Sequence, residues 1–172
     1  TLAGLMHEHD LDPAPYLVDV HDISFDALTP DPALQDAIAA LPGRRIVYTN
    51  GSAPYAERVL AARGLSGAFD AVYGVEHAGF RPKPERAAFE AVFARDCVAP
   101  ARAAMFEDDA RNLAAPHEMG MRTVHVAPAP DPAPHIHHHN ALRLDWNAVI
   151  PAASLSYILG NPPFGGKQYQ SD

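Results

Sequence analysis

Cysteine is nearly absent from this chain, with Cys97 standing alone among 172 residues. One thiol excludes an internal disulfide and a thiolate zinc site, and it fits a reducing compartment, so a cytoplasmic location is expected. Long apolar runs are missing too. None reaches the ~18–20 residues of a membrane-spanning helix, so no membrane partner is expected. The opening Thr1-Leu2-Ala3-Gly4-Leu5-Met6 has no basic stretch, so no secretory leader is expected. The lack of an initiator methionine leaves a processed start or a fragment. Positive charge is scarce: 13 Lys and Arg face 21 Asp and Glu, a net charge of −8. That balance counts against a nucleic-acid partner, which would need a basic face, and suits a protein that holds cations. Internal repeats are absent as well.

What is present fits one full core with a small appendage, at 48% hydrophobic residues. Residues 1–28 read as helix, turn, helix. Leu2, Leu5 and Met6 share a face, Asp12-Pro13 marks a turn or helix start, and Tyr16, Leu17 and Val20 form a second stripe. So short a helical piece cannot bury both of its faces, and it is expected to be the remainder of something larger. Asp31 then caps a helix with Pro32 in its first turn and Leu34, Ala37, Ile38 and Leu41 at helical spacing. Ile46-Val47-Tyr48 reads as a short buried strand ending in the small polar turn Thr49-Asn50-Gly51-Ser52. A helix from Ala53 to Arg63 follows, closed by Gly64. Phe69–Tyr73 is the next strand, and Arg81-Pro82-Lys83-Pro84 a stiff loop. After it come a helix from Glu85 to about Arg95, a strand at Ala103–Phe106, a helix from about Ala110 to Met119 capped by Gly120, and a strand at Arg122–Val126. Strand and helix alternating over short connections predict an α/β fold, a doubly wound parallel sheet covered by helices, across residues 29–126.

Residues 127–139 change character. The alternating prolines from Pro128 to Pro134 read as an extended connector, and His135-Ile136-His137-His138-His139 as a solvated loop, with metal binding or a purification remnant as alternatives. Residues 140–172 differ again: Leu142, Leu144 and Trp146 alternate with polar residues, and a strand-like Leu155–Gly160 runs into Asn161-Pro162-Pro163-Phe164.

Three strand ends carry the chemistry. In Met105-Phe106-Glu107-Asp108-Asp109, carboxylates crowd so closely that they repel unless a divalent cation or a lysine sits among them. Thr49 offers a hydroxyl, and the amides of Asn50 and Gly51 at a helix start form an anion site. Lys83, between two prolines, is a cation with little freedom. Glu107 and Asp108 are hard oxygen ligands suited to Mg²⁺. Together these groups describe phosphoryl transfer on a small phosphorylated substrate. Taken singly, each has an ordinary alternative: Thr49 as a helix cap, Lys83 as a surface charge, and the acidic run as a solvated turn with Asp108 or Asp109 as N-cap.

These residues resemble the motifs of the haloacid dehalogenase-like hydrolases, in particular their pyrimidine 5′-nucleotidase-like branch, over residues 1–139. Val47-Tyr48-Thr49-Asn50-Gly51 resembles the family's second motif, whose Thr or Ser binds the transferred phosphoryl group. Arg81-Pro82-Lys83-Pro84 resembles the third, whose lysine neutralises nucleophile and phosphate. Phe106–Leu113 resembles the fourth, which supplies acidic magnesium ligands. The resemblance implies Asp108 as metal ligand, Glu107 as a second ligand or water-holder, and Asn112 in support behind them. It further implies Thr49, Asn50 and Lys83 in catalysis, and Thr49, Asn50, Gly51 and Lys83 on the phosphate. Asp109 stands where relatives often carry a small or apolar residue. The family's first motif, Asp-x-Asp-x-Thr, supplies the aspartate nucleophile, and nothing before Thr49 matches it; Asp10-Leu11-Asp12 has the spacing, but Pro13 follows it. Residues 1–28 resemble the end of a helical cap. The expectation is therefore a chain cut at its N-terminus and inactive as it stands.

The tail carries a second resemblance. Asn161-Pro162-Pro163-Phe164 and its flanks are similar to the Asn-Pro-Pro-Phe/Tyr region of DNA adenine amino-methyltransferases, where the motif holds a flipped base. No Gly-rich S-adenosylmethionine loop accompanies it. The expectation is a joined fragment, with a proline-rich extension packing on the hydrolase as the alternative.

Overall fold

The structure is a computed structural model that describes residues 2–126 and 157–160. Five parallel strands form one sheet: β1 (Arg44–Tyr48), β2 (Ala71–Tyr73), β3 (Ala103–Glu107), β4 (Arg122–His125) and β5 (Tyr157–Gly160). Their order across the sheet is β2-β1-β5-β3-β4. Among the described residues, six α-helices accompany them: α1 (Leu2–His9), α2 (Pro13–Val20), α3 (Pro32–Ala39), α4 (Ala53–Ala62), α5 (Arg86–Arg95) and α6 (Ala114–Glu118).

The helices divide between the two faces because successive strand residues point to opposite sides. Ile46 and Tyr48 join a core with Phe89, Val92 and Phe93 of α5 and Ala115 of α6. Val47, between them in sequence, packs instead with Ile38 of α3 and Leu60 of α4. Each large side chain buried this way contributes roughly 1.5–3 kcal/mol. The doubly wound α/β sheet predicted from the alternation is what forms, with helices on both faces.

Local signals act as their chemistry dictates. The Asp12 carboxylate accepts from the Ala14 amide at 3.0 Å and starts α2, and Asp31 accepts from Leu34 at 3.0 Å and starts α3. The predicted helix from Ala110 to Met119 is split: Ala110–Leu113 is a 3-10 turn, and α6 begins only at Ala114. Pro116 is the cause, since it has no N–H to donate back to Asn112. α1 contributes no buried residue and α2 only Leu17, while Val18, Val20 and Ile23 stay exposed. This matches the expectation that the helical piece cannot cover both of its faces.

Within residues 140–172, the strand Tyr157–Gly160 lies in the middle of the sheet, parallel to β1 on one side and β3 on the other. The Pro-rich and His-rich segments and Asn161–Phe164 lie outside the described residues.

Gly74 explains how closely β2 feeds into the start of α4. A methyl group there would sit 2.3 Å from the Ala53 amide nitrogen and 2.7 Å from the Ser52 carbonyl carbon. Both atoms are backbone, so neither can swing aside. Gly74→Ala is expected to cost about 1–3 kcal/mol, the range of overpacking a tight site, read as a lower midpoint in urea denaturation.

Candidate active site

The carboxyl ends of β1 and β3 deliver the predicted residues to one place, the edge where open α/β sheets bind ligands. At its centre lies Lys83, whose side chain is 1% exposed. Its Nζ donates to Glu107 Oε2 at 2.5 Å and to the Tyr48 carbonyl at 3.0 Å. The ammonium also lies 5.2 Å from the Tyr48 ring centroid. An ammonium has three donors, and two of them have partners among the described residues. Burial pushes the Lys83 pKa below its ordinary range, while Glu107, and then Asp108 and Asp109, oppose that shift.

Asn50 fixes the backbone around that lysine. Its Oδ1 accepts from the Lys83 amide at 2.7 Å, and its Nδ2 donates to the Lys83 carbonyl at 3.1 Å. The Asn50 side chain is thus engaged in holding the loop that carries Lys83, while the group expected at the anion site is its backbone amide. Thr49 is buried at the end of β1, and its Oγ1 accepts from the Gly51 amide at 3.0 Å. Thr49 is not the helix cap: Ser52 caps α4 by accepting from Tyr55, and the Glu76 carboxylate accepts from the Ala53 amide at 2.8 Å.

The three acidic residues after β3 have separate surroundings. Glu107 is fully buried, and besides Lys83 it accepts through Oε1 from the amides of Asp108 and Asp109 at 3.2 and 3.3 Å. Both oxygens of the residue predicted as a second metal ligand are therefore engaged by the protein. Asp109 caps the 3-10 turn and is held by Arg111, Nη2 to Oδ2 at 2.6 Å, which keeps its carboxyl below the usual range. Asp108 is exposed at the strand end. Its carbonyl is hydrogen-bonded to His125 of β4 at 3.0 Å, which ties the loop down. Asn112 is buried in the turn just beyond. A cleft of about 430 Å³ at this edge is lined by Phe80, Asn50, Lys83, Asp109, Arg111 and Asn112, among others. Among the described residues, no three His, Cys, Asp or Glu side chains converge as a metal cage. The donor set fits instead a cation held by one carboxylate, Asp108, with water and substrate oxygens completing its shell, the usual habit of Mg²⁺.

Two residues of this edge were not singled out from the sequence. Glu76 caps the start of α4 from another loop, and His21 reaches it from the N-terminal helices. His21 stacks on Tyr55 with centroids 4.1 Å apart, and its Nδ1 is 3.0 Å from Ser52 Oγ. Arg58 holds the same segment, donating to the carbonyls of His21 and Ile23 at 3.2 and 3.4 Å. No local pattern signals either residue, since each acts across more than 20 positions. Burial lowers the His21 pKa below 6.5; Leu17 and Glu76 oppose the shift and Arg58 adds to it. The unfolded chain thus takes up this proton first as pH falls. The stabilisation is fully present above pH ~6.5 and is lost as pH falls toward the folded value. Hydrogen exchange in residues 21–25, corrected for the intrinsic rate, should accelerate between about pH 7.5 and 5.5. His21→Gln should remove that dependence.

Comparison with known proteins bears on the fold and the family. Residues 101–172 match the model of the MmeI DNA-methyltransferase domain, overlapping the last strands of the hydrolase core. No curated protein matches the chain. Among solved structures, an L-2-haloacid dehalogenase from Xanthobacter autotrophicus, with chloropropionic acid covalently bound, superposes with a TM-score of 0.53 at 26% identity. The match covers 59% of this chain and 42% of that one, so the chain spans less than half the length of that enzyme. Residues 4–120 match the model of the haloacid dehalogenase-like hydrolases, and with more than half its length inside that match the chain belongs to this family.

Proposed function

We propose that this edge is a phosphate site of a magnesium-dependent phosphatase, built for a small phosphate ester such as a pyrimidine nucleoside monophosphate. The supporting observation is the buried ammonium of Lys83 at the floor of the cleft, fixed by Glu107, Tyr48 and Asn50. A charge held this way needs no reorganisation when an anion arrives, which is what electrostatic stabilisation of a transferring phosphoryl group requires. The Thr49 hydroxyl, buried beside the Gly51 amide, adds a donor at the same edge. Asp108 would hold Mg²⁺, with Asn112 in support behind it, and the ion when bound neutralises phosphate charge. Glu107 serves to keep Lys83 charged and aimed.

Turnover through an aspartyl-phosphate needs a further aspartate at this edge. The carboxylates acting on Lys83 are Glu107, Asp108 and Asp109, and each has a role already. The chain by itself is therefore proposed to bind phosphate with Mg²⁺ without hydrolysing it. The test is calorimetric titration of inorganic phosphate with and without Mg²⁺, beside a p-nitrophenyl phosphate assay. Magnesium-dependent binding without turnover is expected. Steady hydrolysis would overturn the inactive reading, and no phosphate binding would overturn the site. The likeness to a haloacid dehalogenase supports a rival, a small 2-halo acid as ligand. Binding of 2-chloropropionate in preference to phosphate would favour it.

A further inference from the structure

The middle strand of this hydrolase sheet lies outside the hydrolase match. β5 is residues 157–160, the family match ends at residue 120, and the methyltransferase match runs to residue 172. Yet β5 pairs on both sides: Leu159 stands opposite Ile46 of β1 and Met105 of β3, and Gly160 opposite Val47 and Phe106. Leu159 is fully buried in the core formed with Ile46, Tyr48 and Met105. Without β5, the facing backbone groups of β1 and β3 would lie unpaired in the interior, where each unsatisfied group is costly. The gap between them requires a strand.

We infer that this gap is an acceptor groove for a short parallel apolar strand, and that β5 is a separable donor which a second copy of the chain can supply as well as the chain itself. The groove specifies its occupant chemically. The third residue must be a large aliphatic that reaches between Ile46 and Met105. The fourth must fit level with Val47 and Phe106. Recognition runs through main-chain hydrogen bonds, with side-chain pockets giving selectivity, as in other strand-addition sites. Residues 126–156 separate β5 from β4. Fully extended, that many residues span on the order of 100 Å, enough to enter a neighbouring groove. The entropic cost of closure rises only slowly with the length of chain between the paired segments, so donation in cis is favoured at low concentration without being obligatory. The groove also sets what reaches the active-site edge. Gly160 ends level with Phe106, one residue before Glu107, so the strand occupying the groove stops beside the Lys83–Glu107 pair.

A fluorescein-labelled peptide of residues 154–164 is the probe, added to the full chain carrying Leu159→Asp to disable its own donor. Saturable binding is expected, with a peptide carrying the same substitution binding at least about tenfold more weakly, as loss of one buried leucine implies. A variant with native far-UV circular dichroism that takes up no peptide overturns the inference. If that variant does not fold, native-state hydrogen exchange on the unaltered chain decides. The amides of β5, with those of β1 and β3 that face it, should exchange at least about tenfold faster than amides between β1 and β2 or between β3 and β4. One common rate across the whole sheet would make β5 an integral strand and overturn the inference.

Discussion

Replacing Lys83 by methionine should cost about 3–5 kcal/mol of folding stability, the usual result of removing one partner of a buried ion pair. The expectation rests on surroundings rather than on the pair's own attraction. Lys83 is 4% exposed and Glu107 0%, so the carboxylate left behind has no water to turn to. A stranded buried carboxylate takes up a proton more readily, so its folded-state pKa rises above the unfolded value. The sign follows: the deficit is small below the unfolded carboxyl range and grows as pH rises through the raised value. Lys83→Met with Glu107→Gln removes both charges and keeps an oxygen for the Asp108 and Asp109 amides. That double variant should recover more than half of the loss while binding phosphate no better than the single one. Urea midpoints at several pH values, combined as a double-mutant cycle, measure this. A single variant within about 1 kcal/mol of the parent would show that the pair is not buried as described.

The same pair marks how far the sequence could be read. That Lys83 and Glu107 belong to one site was legible, because a lysine fixed between prolines and a carboxylate run each ended a segment of the alternating pattern. A lysine among these carboxylates was legible too; which carboxylate it would meet was not. Two hard oxygen ligands side by side in sequence look alike, yet strand geometry sends successive side chains in different directions. Glu107 turns inward to Lys83 and Asp108 stays outside. The role of the Asn50 side chain was not legible for a related reason: only the fold shows it closing two hydrogen bonds on the Lys83 backbone.

The sheet itself shows the same division. Four of its strands were read to within a few residues, since buried strands flanked by capped helices leave a period that survives in sequence. The strand at Tyr157–Gly160 was legible as a strand but not as the central one. Partner choice in a parallel sheet is set by crossovers and by which edges are left open, and neither is written in four residues. His21 and Glu76 fall in the same class, each meeting the start of α4 only once distant segments are folded together.

Asp108→Asn should remove the magnesium-dependent part of phosphate binding, at least about tenfold in affinity, with little change in stability. The three neighbouring carboxylates make the test sharp because their surroundings differ. Glu107 is enclosed, Asp109 is clamped by Arg111, and Asp108 is exposed at the end of β3. Asp109→Asn is the matched control, since it removes the same charge one residue away. It keeps the cap, since Asn caps as well as Asp, and loses only the charge pairing with the exposed Arg111, so it should cost at most about 1 kcal/mol and leave Mg²⁺ binding nearly intact. Titrations at about 0.15 M salt keep general charge attraction from imitating coordination, since exposed charges are then screened beyond ~8 Å. Equal losses in the two variants would mean that the acidic cluster acts only through its net charge. No loss in Asp108→Asn would remove the metal site from this edge and leave Lys83 to hold the phosphate without it.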